Sequence, residues 1–322
     1  MTDALLDAPA VAPPLNHYRF EAIGTAWSIG TAKPVARAER AEVARVVADY
    51  DAIWSRFRSD SAVSRLSGGG SADLGPTAGP LLGLLLRLAQ VTGGAVSPLL
   101  GRPLEHLGYD GAYRLTPRPG FRAPPAAEVL RIDGDRVTLT APALIDVGSA
   151  GKGQLVDLVV AVLVAAGHES VLVDAGGDLR VVGAPVRVAL EHPYDPSMAI
   201  GVMELRDGAL CASAVTRRSW DAPDGRGRLH HVLDGRTGAP VTEVAAAWAA
   251  APTALVADAL ATALFFLDTD SVLDDALLGG SLGGLLGASV DGPSQHAATG
   301  AVRMLTDGRA TASGDLGGAL FE

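Results

Sequence analysis

Two rhythms of apolar residues run along this chain. From Val35 to Phe57 they recur at Val43, Val46, Val47, Tyr50, Ile53 and Trp54, the spacing of one helical face. Pro80 to Thr92 is so rich in leucine that it predicts a second, buried helix. Gln154 to Ala166 predicts a third, ended by Gly167, and Pro252-Thr253 opens a fourth that runs to Leu267. His17 to Thr31 instead predicts a strand pair, with partial alternation through Thr25-Ala26-Trp27-Ser28-Ile29. Val129 to Ile132 and Arg136 to Leu139 flank a tight turn at Asp133-Gly134. Ser170 to Val173 reads as a buried strand. Val186 to Glu191, Ile200 to Leu205 and Ala209 to Ser213 read as successive strands, the last two joined at Asp207-Gly208. His231-Val232-Leu233 reads as a short strand closed by a turn from Asp234 to Gly238, and Val244 to Ala250 as one more.

Between these elements, Ser67 to Ser71 reads as a flexible loop and Gly279 to Gly287 as a loop before the final strands. Leu99 to Pro125, full of Gly and Pro, reads as an irregular connection of functional character. There is no regular βαβ rhythm, no internal repeat and no dividing linker. The expected class is α+β, with largely antiparallel sheets and packed helices. A Pro- and Ala-rich segment, 1–16, is expected to be loose, and 17–322 to form one domain.

Composition narrows the function. Hydrophobic residues make up 48% and charged residues 19%, enough for a core and too little charge for a disordered chain. Aromatics are only 5%, so Ala, Val and Leu must fill that core. A net charge of −10 argues against nucleic-acid binding, which draws affinity from basic patches. An anionic small ligand remains open, because a metal and a few local cations can hold one. The single cysteine, Cys211, permits no internal disulfide and reads as small buried filler. The first ten residues lack the basic and continuous apolar stretches of a secretory leader, so a cytoplasmic location is expected. The longest apolar run, Val244 to Leu267, is broken by Pro252 and Asp258 and predicts no membrane span.

Three places carry candidate chemistry. Asp146-Val147-Gly148-Ser149-Ala150-Gly151-Lys152-Gly153 joins an apolar strand to a helix. Its small residues let backbone N–H groups approach an anion, and Lys152 adds a full charge. It is not a P-loop: Asp146 stands at the first glycine position and Gly153 where a hydroxyl residue would hold magnesium. A tight connection with an incidental lysine would look the same. Asp157, one turn on, reads by itself as a solvated face residue.

Asp258 is the second place, the lone charge in a helix of Ala, Leu, Val, Phe and Thr, with Thr262 on the same face. Burial there demands a partner, either a metal or a neighbouring backbone or basic group. A carboxylate, a hydroxyl and carbonyl oxygens suit magnesium or calcium. The third place is His230 to Gly238, where His231 is a candidate base or phosphate-steering group. Asp234 and Thr237 there suit a turn. No cysteine pair or His-x3-His spacing supports zinc.

Together these segments resemble the FAD:protein FMN transferase (ApbE) family. The resemblance runs in order through Ile23-Gly24-Thr25, then Phe57 to Leu66, and Gly93-Gly94-Ala95-Val96-Ser97-Pro98. It continues through Asp146 to Asp157, Asp174-Ala175-Gly176-Gly177-Asp178, His231 to Gly238, and Ala257 to Thr262. It implies a T-fold-like α+β domain with FAD bound as substrate in a cleft between two lobes and magnesium at its pyrophosphate. Flavin contacts are implied at Ile23, Phe57, Ala95, Val96, Ser97, Asp146, Lys152 and Leu233. Metal contacts are implied at Ser149 and Ala261 through backbone oxygen, and at Asp258 and Thr262. The implied reaction moves FMN to a threonine or serine hydroxyl of an acceptor protein and releases AMP. His231, or Asp258 itself, would take the hydroxyl proton. The chain departs from the family pattern at Ile23, Ser67, Ser97, Ala212, Ala214 and Gly235. The departures keep two other activities open: FAD hydrolysis to FMN and AMP, and FAD binding without catalysis.

Overall fold

Antiparallel pairing organises the chain around one large sheet. The structure is a computed structural model and describes residues 15–118, 120–223, 225, 227–273 and 300–321. The expected loose N-terminal segment, 1–16, lies outside the described residues up to residue 14 and ends in a strand at Asn16, and the expected loop at 279–287 lies outside them.

Strands β1 (Asn16–Ala22) and β2 (Thr25–Thr31) form the expected hairpin, turned by Ile23 and Gly24 at positive φ. Helix α1 (Arg37–Trp54) buries Val43, Tyr50 and Trp54 from its apolar stripe. A short α2 (Ala62–Leu66) leads into β3 (Gly70–Asp73) and α3 (Ala78–Val91). The expected loop at 67–71 is thus half strand. Gly69 and Gly70, both at positive φ, turn the chain so that β3 pairs with β5 (Arg136–Leu139). The irregular stretch from residue 99 holds one short helix, α4 (Gly101–His106), before α5 (Ala126–Val129) and β4 (Leu130–Asp133).

Next come α6 (Gly151–Ala165), β6 (Val171–Asp174) and β7 (Asp178–Val182), then β8 (Val186–His192), β9 (Asp195–Leu205) and β10 (Ala209–Ala214). The short strands β11 (Ser219–Asp221), β12 (Arg228–His230), β13 (Leu233–Asp234) and β14 (Ala239–Pro240) follow. The expected strand at His231 is therefore a break between β12 and β13. Its amide donates to Arg218 O at 3.2 Å, which carries the β11–β12 pairing one residue past the end of β12. Strand β15 (Val244–Ala251) precedes α7 (Ala254–Ala263), α8 (Thr269–Leu273), β16 (Gly300–Leu305), β17 (Ala310–Gly314) and β18 (Ala319–Leu320).

The main sheet runs β1-β2-β6-β7-β10-β15-β16-β17. Side-chain alternation divides its two faces. Cys211 on β10 and Ala247, Ala249 and Ala251 on β15 join Leu155, Val159, Leu255 and Leu260 of α6 and α7 in one core. Their neighbours Leu210, Ala246, Trp248 and Ala250 face the other way, against Leu190, Met203 and Leu205 of the small sheet β18-β9-β8. This mixed, largely antiparallel arrangement is the expected α+β class. Among the described residues no helix is long and apolar enough to cross a membrane.

Candidate active site

Two helix N-termini meet beneath the sheet, and each is capped by a carboxylate from the other helix. The first turns of α6 and α7 carry amides with no intrahelical acceptor. Asp157 of α6 accepts Ala254 N–H and Leu255 N–H of α7, each at 2.9 Å. Asp258 of α7 accepts Gly153 N–H of α6 through Oδ2 at 3.0 Å. The helices approach so closely that a Cβ at Gly153 would stand 2.1 Å from Ala254 O. Gly153 is thus glycine because of the neighbouring helix, which accounts for the missing P-loop hydroxyl. Helix α6 also starts at Gly151, so Gly151, Lys152 and Gly153 form its first turn rather than the end of a loop.

Asp157 corrects the expectation of a solvated face. It caps α7, and Arg180 lies 3.5 Å from its Oδ1. Burial pushes its carboxyl up to about 6, against the opposing pull of the Leu255 and Ala254 amides.

Asp258 is 3% exposed. Burial, reinforced by the neighbouring Asp178 carboxylate, pushes its carboxyl well above the usual range; Lys152 and the Gly153 amide pull the other way. Lys152 Nζ lies 2.5 Å from Asp178 Oδ2 and donates to Ala175 O at 3.1 Å. Burial works to lower the Lys152 ammonium, but the Asp178 and Asp258 carboxylates outweigh it, and its pKa ends raised. On the other side of Asp258, Thr262 Oγ1 donates to Ser149 O at 3.4 Å. Four of the candidate residues, Ser149, Lys152, Asp258 and Thr262, are thus drawn together where residues 146–153 meet α7. Ala261, buried at 0% exposure, lies on the same turn of helix. Among the described residues no three His, Cys, Asp or Glu side chains gather as a metal cluster. The donors are instead a mixed oxygen set of carboxylate, hydroxyl and carbonyl.

A second group lines the approach. Asp146 Oδ1 accepts Gly148 N–H at 2.9 Å, and its Oδ2 forms a short ion pair with Arg56. Arg56 Cζ sits 4.1 Å from the Phe57 ring centroid and 4.9 Å from that of Tyr109, while Nη1 donates to Tyr109 O at 2.8 Å. Phe57 is 37% exposed and stacks on the half-exposed Tyr113, centroids 5.7 Å apart. Gly235 N–H donates to Ala95 O at 2.8 Å, and a Cβ on Gly235 would meet Gly94 O at 2.4 Å. The departure at Gly235 therefore suits a close approach of two backbones, one that also needs the N–H a proline lacks. Ala95, Val96, Ser97 and Leu233 are buried, and Ser97 Oγ accepts Leu99 N–H at 3.2 Å.

His231 and Ile23 sit further round. Arg218 donates to Gly24 O beside the exposed Ile23, and the Arg218 carbonyl faces His231 Nδ1 at 3.3 Å. A carbonyl only accepts, so Nδ1 carries the proton and Nε2 keeps its lone pair. Burial lowers the imidazole to about 4, more than the Arg218 carbonyl restores. The two candidate bases are therefore separately held: His231 by Arg218, Asp258 by Gly153.

Sequence reasoning missed Arg56 and gave Asp178 no role. Arg56 carried no usable signal, since its partner Asp146 is 90 residues away. Asp178 did carry one, a charge next to Gly177 and one step from the apolar Leu179, where a strand turns inward. A pocket of about 350 Å³ opens across the sheet, lined by Leu179, Ala212, Trp248 and Arg217, and by Asp174, Gly176 and Gly177 of the turn whose Ala175 holds Lys152.

A family model described as the ApbE family matches residues 23–276. The FAD:protein FMN transferase of Treponema pallidum (strain Nichols) is 30% identical over 256 residues, 70% of this chain and 70% of that protein. The FAD:protein FMN transferase of Rhodobacter capsulatus is 30% identical over 227 residues; the match takes in 66% of this chain and 42%, under half, of that relative's length. The crystal structure of the ApbE protein from Thermotoga maritima MSB8 shares the fold with a TM-score of 0.75 at 23% identity, covering 93% of this chain and 97% of that one.

Proposed function

The chain belongs to the ApbE family, and from that premise we propose that it transfers FMN from FAD to a threonine or serine hydroxyl of an acceptor protein, releasing AMP with the help of magnesium. The observation that carries this reading is the meeting of Ser149 O, Thr262 Oγ1 and the Asp258 carboxylate at the first turn of α6.

The residues fit a hard divalent cation. The donors are all oxygen. Asp178, fully buried, receives no well-aligned hydrogen bond on either oxygen and has Lys152 Nζ 2.5 Å from Oδ2; with both carboxylates ionised they share one ammonium, and the site then holds more negative than positive charge. Asp258, Thr262 and the backbone oxygens of Ser149 and Ala261 would hold the ion. When bound, it neutralises charge on the pyrophosphate as the phosphoryl group transfers.

The remaining steps belong to the chain. Phe57 offers the flavin a partly exposed aromatic face, with Ile23, Asp146, Leu233 and residues 95–97 around it. Lys152, kept cationic by Asp178, faces the phosphates. The acceptor oxygen attacks the phosphorus on the FMN side. The bond from that phosphorus to the bridging oxygen breaks, and AMP leaves with that oxygen. The hydroxyl proton passes to His231 Nε2, which is free to take it because Nδ1–H is committed to Arg218 O.

The test is incubation with FAD and magnesium, with and without a threonine-bearing domain of a flavinylated protein, read by in-gel flavin fluorescence and chromatography. Covalent flavin on the domain together with AMP supports transfer. Free FMN and AMP in both reactions would assign FAD hydrolysis, and FAD bound but unchanged would assign a binding protein.

A further inference from the structure

We propose that Asp178 is a positioning residue for the cation: it holds the Lys152 ammonium away from Asp258 and so leaves that carboxylate for the metal. This rests on the reading of a divalent ion at Asp258.

Asp178 opens β7 directly after Gly176 and Gly177, in register with Cys211 of β10, and points into the core shared with α6 and α7. Its exposure is 0%. A structural aspartate at such a place has backbone N–H groups on its oxygens. Here neither oxygen receives a hydrogen bond of good geometry, and the close cation is Lys152 Nζ at 2.5 Å. The carboxylate is therefore placed by, and for, the lysine.

Both anchors of Lys152 come from one turn: Asp178 Oδ2, and Ala175 O at 3.1 Å. Asp258 reaches the neighbouring residue, Gly153, at 3.0 Å, yet the ion pair of Lys152 is with Asp178. With both carboxylates ionised, the form that binds a cation, two carboxylates and one ammonium carry a formal charge of −1 in a buried space. Remove the charge of Asp178, and the ammonium has only Asp258 to pair with. The site becomes neutral, and a cation must then displace a lysine. Attraction between buried charges is strong enough for this one charge to decide affinity.

The experiment titrates Mn2+, without FAD, into wild type, Asp178→Asn, Lys152→Met and the double variant, and follows free Mn2+ by electron paramagnetic resonance. Net site charge orders the expected affinities. Lys152→Met binds tightest, wild type and the double variant agree within about threefold, and Asp178→Asn is weaker than wild type by about tenfold or more. Recovery in the double variant is a readout that a merely structural aspartate would not produce. Asp178→Asn binding like wild type, or a double variant as weak as Asp178→Asn, overturns the proposal. If Asp178→Asn does not fold, Lys152→Met still decides: binding no tighter than wild type overturns it. Wild type that binds no Mn2+ refutes the cation reading itself, a distinct result.

Discussion

Alanine at Gly153 perturbs the contact that joins the two capped helices. The new Cβ would lie 2.1 Å from Ala254 O, 2.6 Å from its carbonyl carbon and 2.8 Å from Asp258 Cβ. Two of these three atoms are backbone and the third is fixed to it, so α6 and α7 must separate. Overpacking of this kind costs about 1–3 kcal/mol. The bond from Gly153 N–H to the Asp258 carboxyl lengthens or breaks, and bonds to charged groups are worth about 1.5–3 kcal/mol. Alanine's better helix propensity returns about 1 kcal/mol at most. The net loss is about 2–5 kcal/mol, a fall in Tm of about 4–20 °C at the 2–4 °C per kcal/mol typical of large domains. Differential scanning fluorimetry reads the stability, and AMP release from FAD with magnesium and the acceptor domain reads the site. Activity is expected to fall with stability, because the same shift moves Asp258. A variant with unchanged Tm and wild-type AMP release would refute the contact.

Four further outcomes are expected. The native pKa of Asp157, about 6, lies above its ordinary 3.8, so the folded protein takes up the proton first as pH falls, and stability rises from pH 7.5 to 5 relative to Asp157→Asn; melting curves at the two pH values check the sign. His231 has the opposite shift, to about 4 from 6.5, so it stays a neutral base through the physiological range, and acidification from 6.5 towards 4 destabilises the fold. His231→Gln should lower kcat by about 10²–10⁴ with FAD affinity retained, measured by flavin fluorescence quenching. Arg56→Met leaves Asp146 without its buried partner and should cost about 3–5 kcal/mol in urea unfolding, with weaker FAD binding; a silent substitution would remove Arg56 from the site.

What could be read in the sequence was local. A short apolar run marked β15 as a strand, and Thr253 marked the start of α7, where its hydroxyl does accept Val256 N–H at 3.4 Å. Asp258 stood out because a lone carboxylate in an alanine-rich helix needs a partner. The metal and backbone readings left open for it are not exclusive: one oxygen caps Gly153, and Thr262, one helical turn on, bonds to Ser149 O. Long-range partners were not legible. Asp157 looked solvated because the helix it caps begins 97 residues later. The short strands β11 to β14 carry two or three residues each, too few to show a period. Gly153 read as a missing hydroxyl and is instead the close approach that lets Asp258 reach α6.

The most direct test of the central claim, that Asp258 holds the cation on which FAD cleavage depends, is magnesium-dependent AMP release from FAD, with the threonine-bearing acceptor domain present, by wild type and Asp258→Ala, each with and without a chelator. Wild type is expected to release AMP only with magnesium, and Asp258→Ala, folded by circular dichroism, to release none in either condition. Wild-type turnover in Asp258→Ala, or turnover by the wild type in excess chelator, would contradict it.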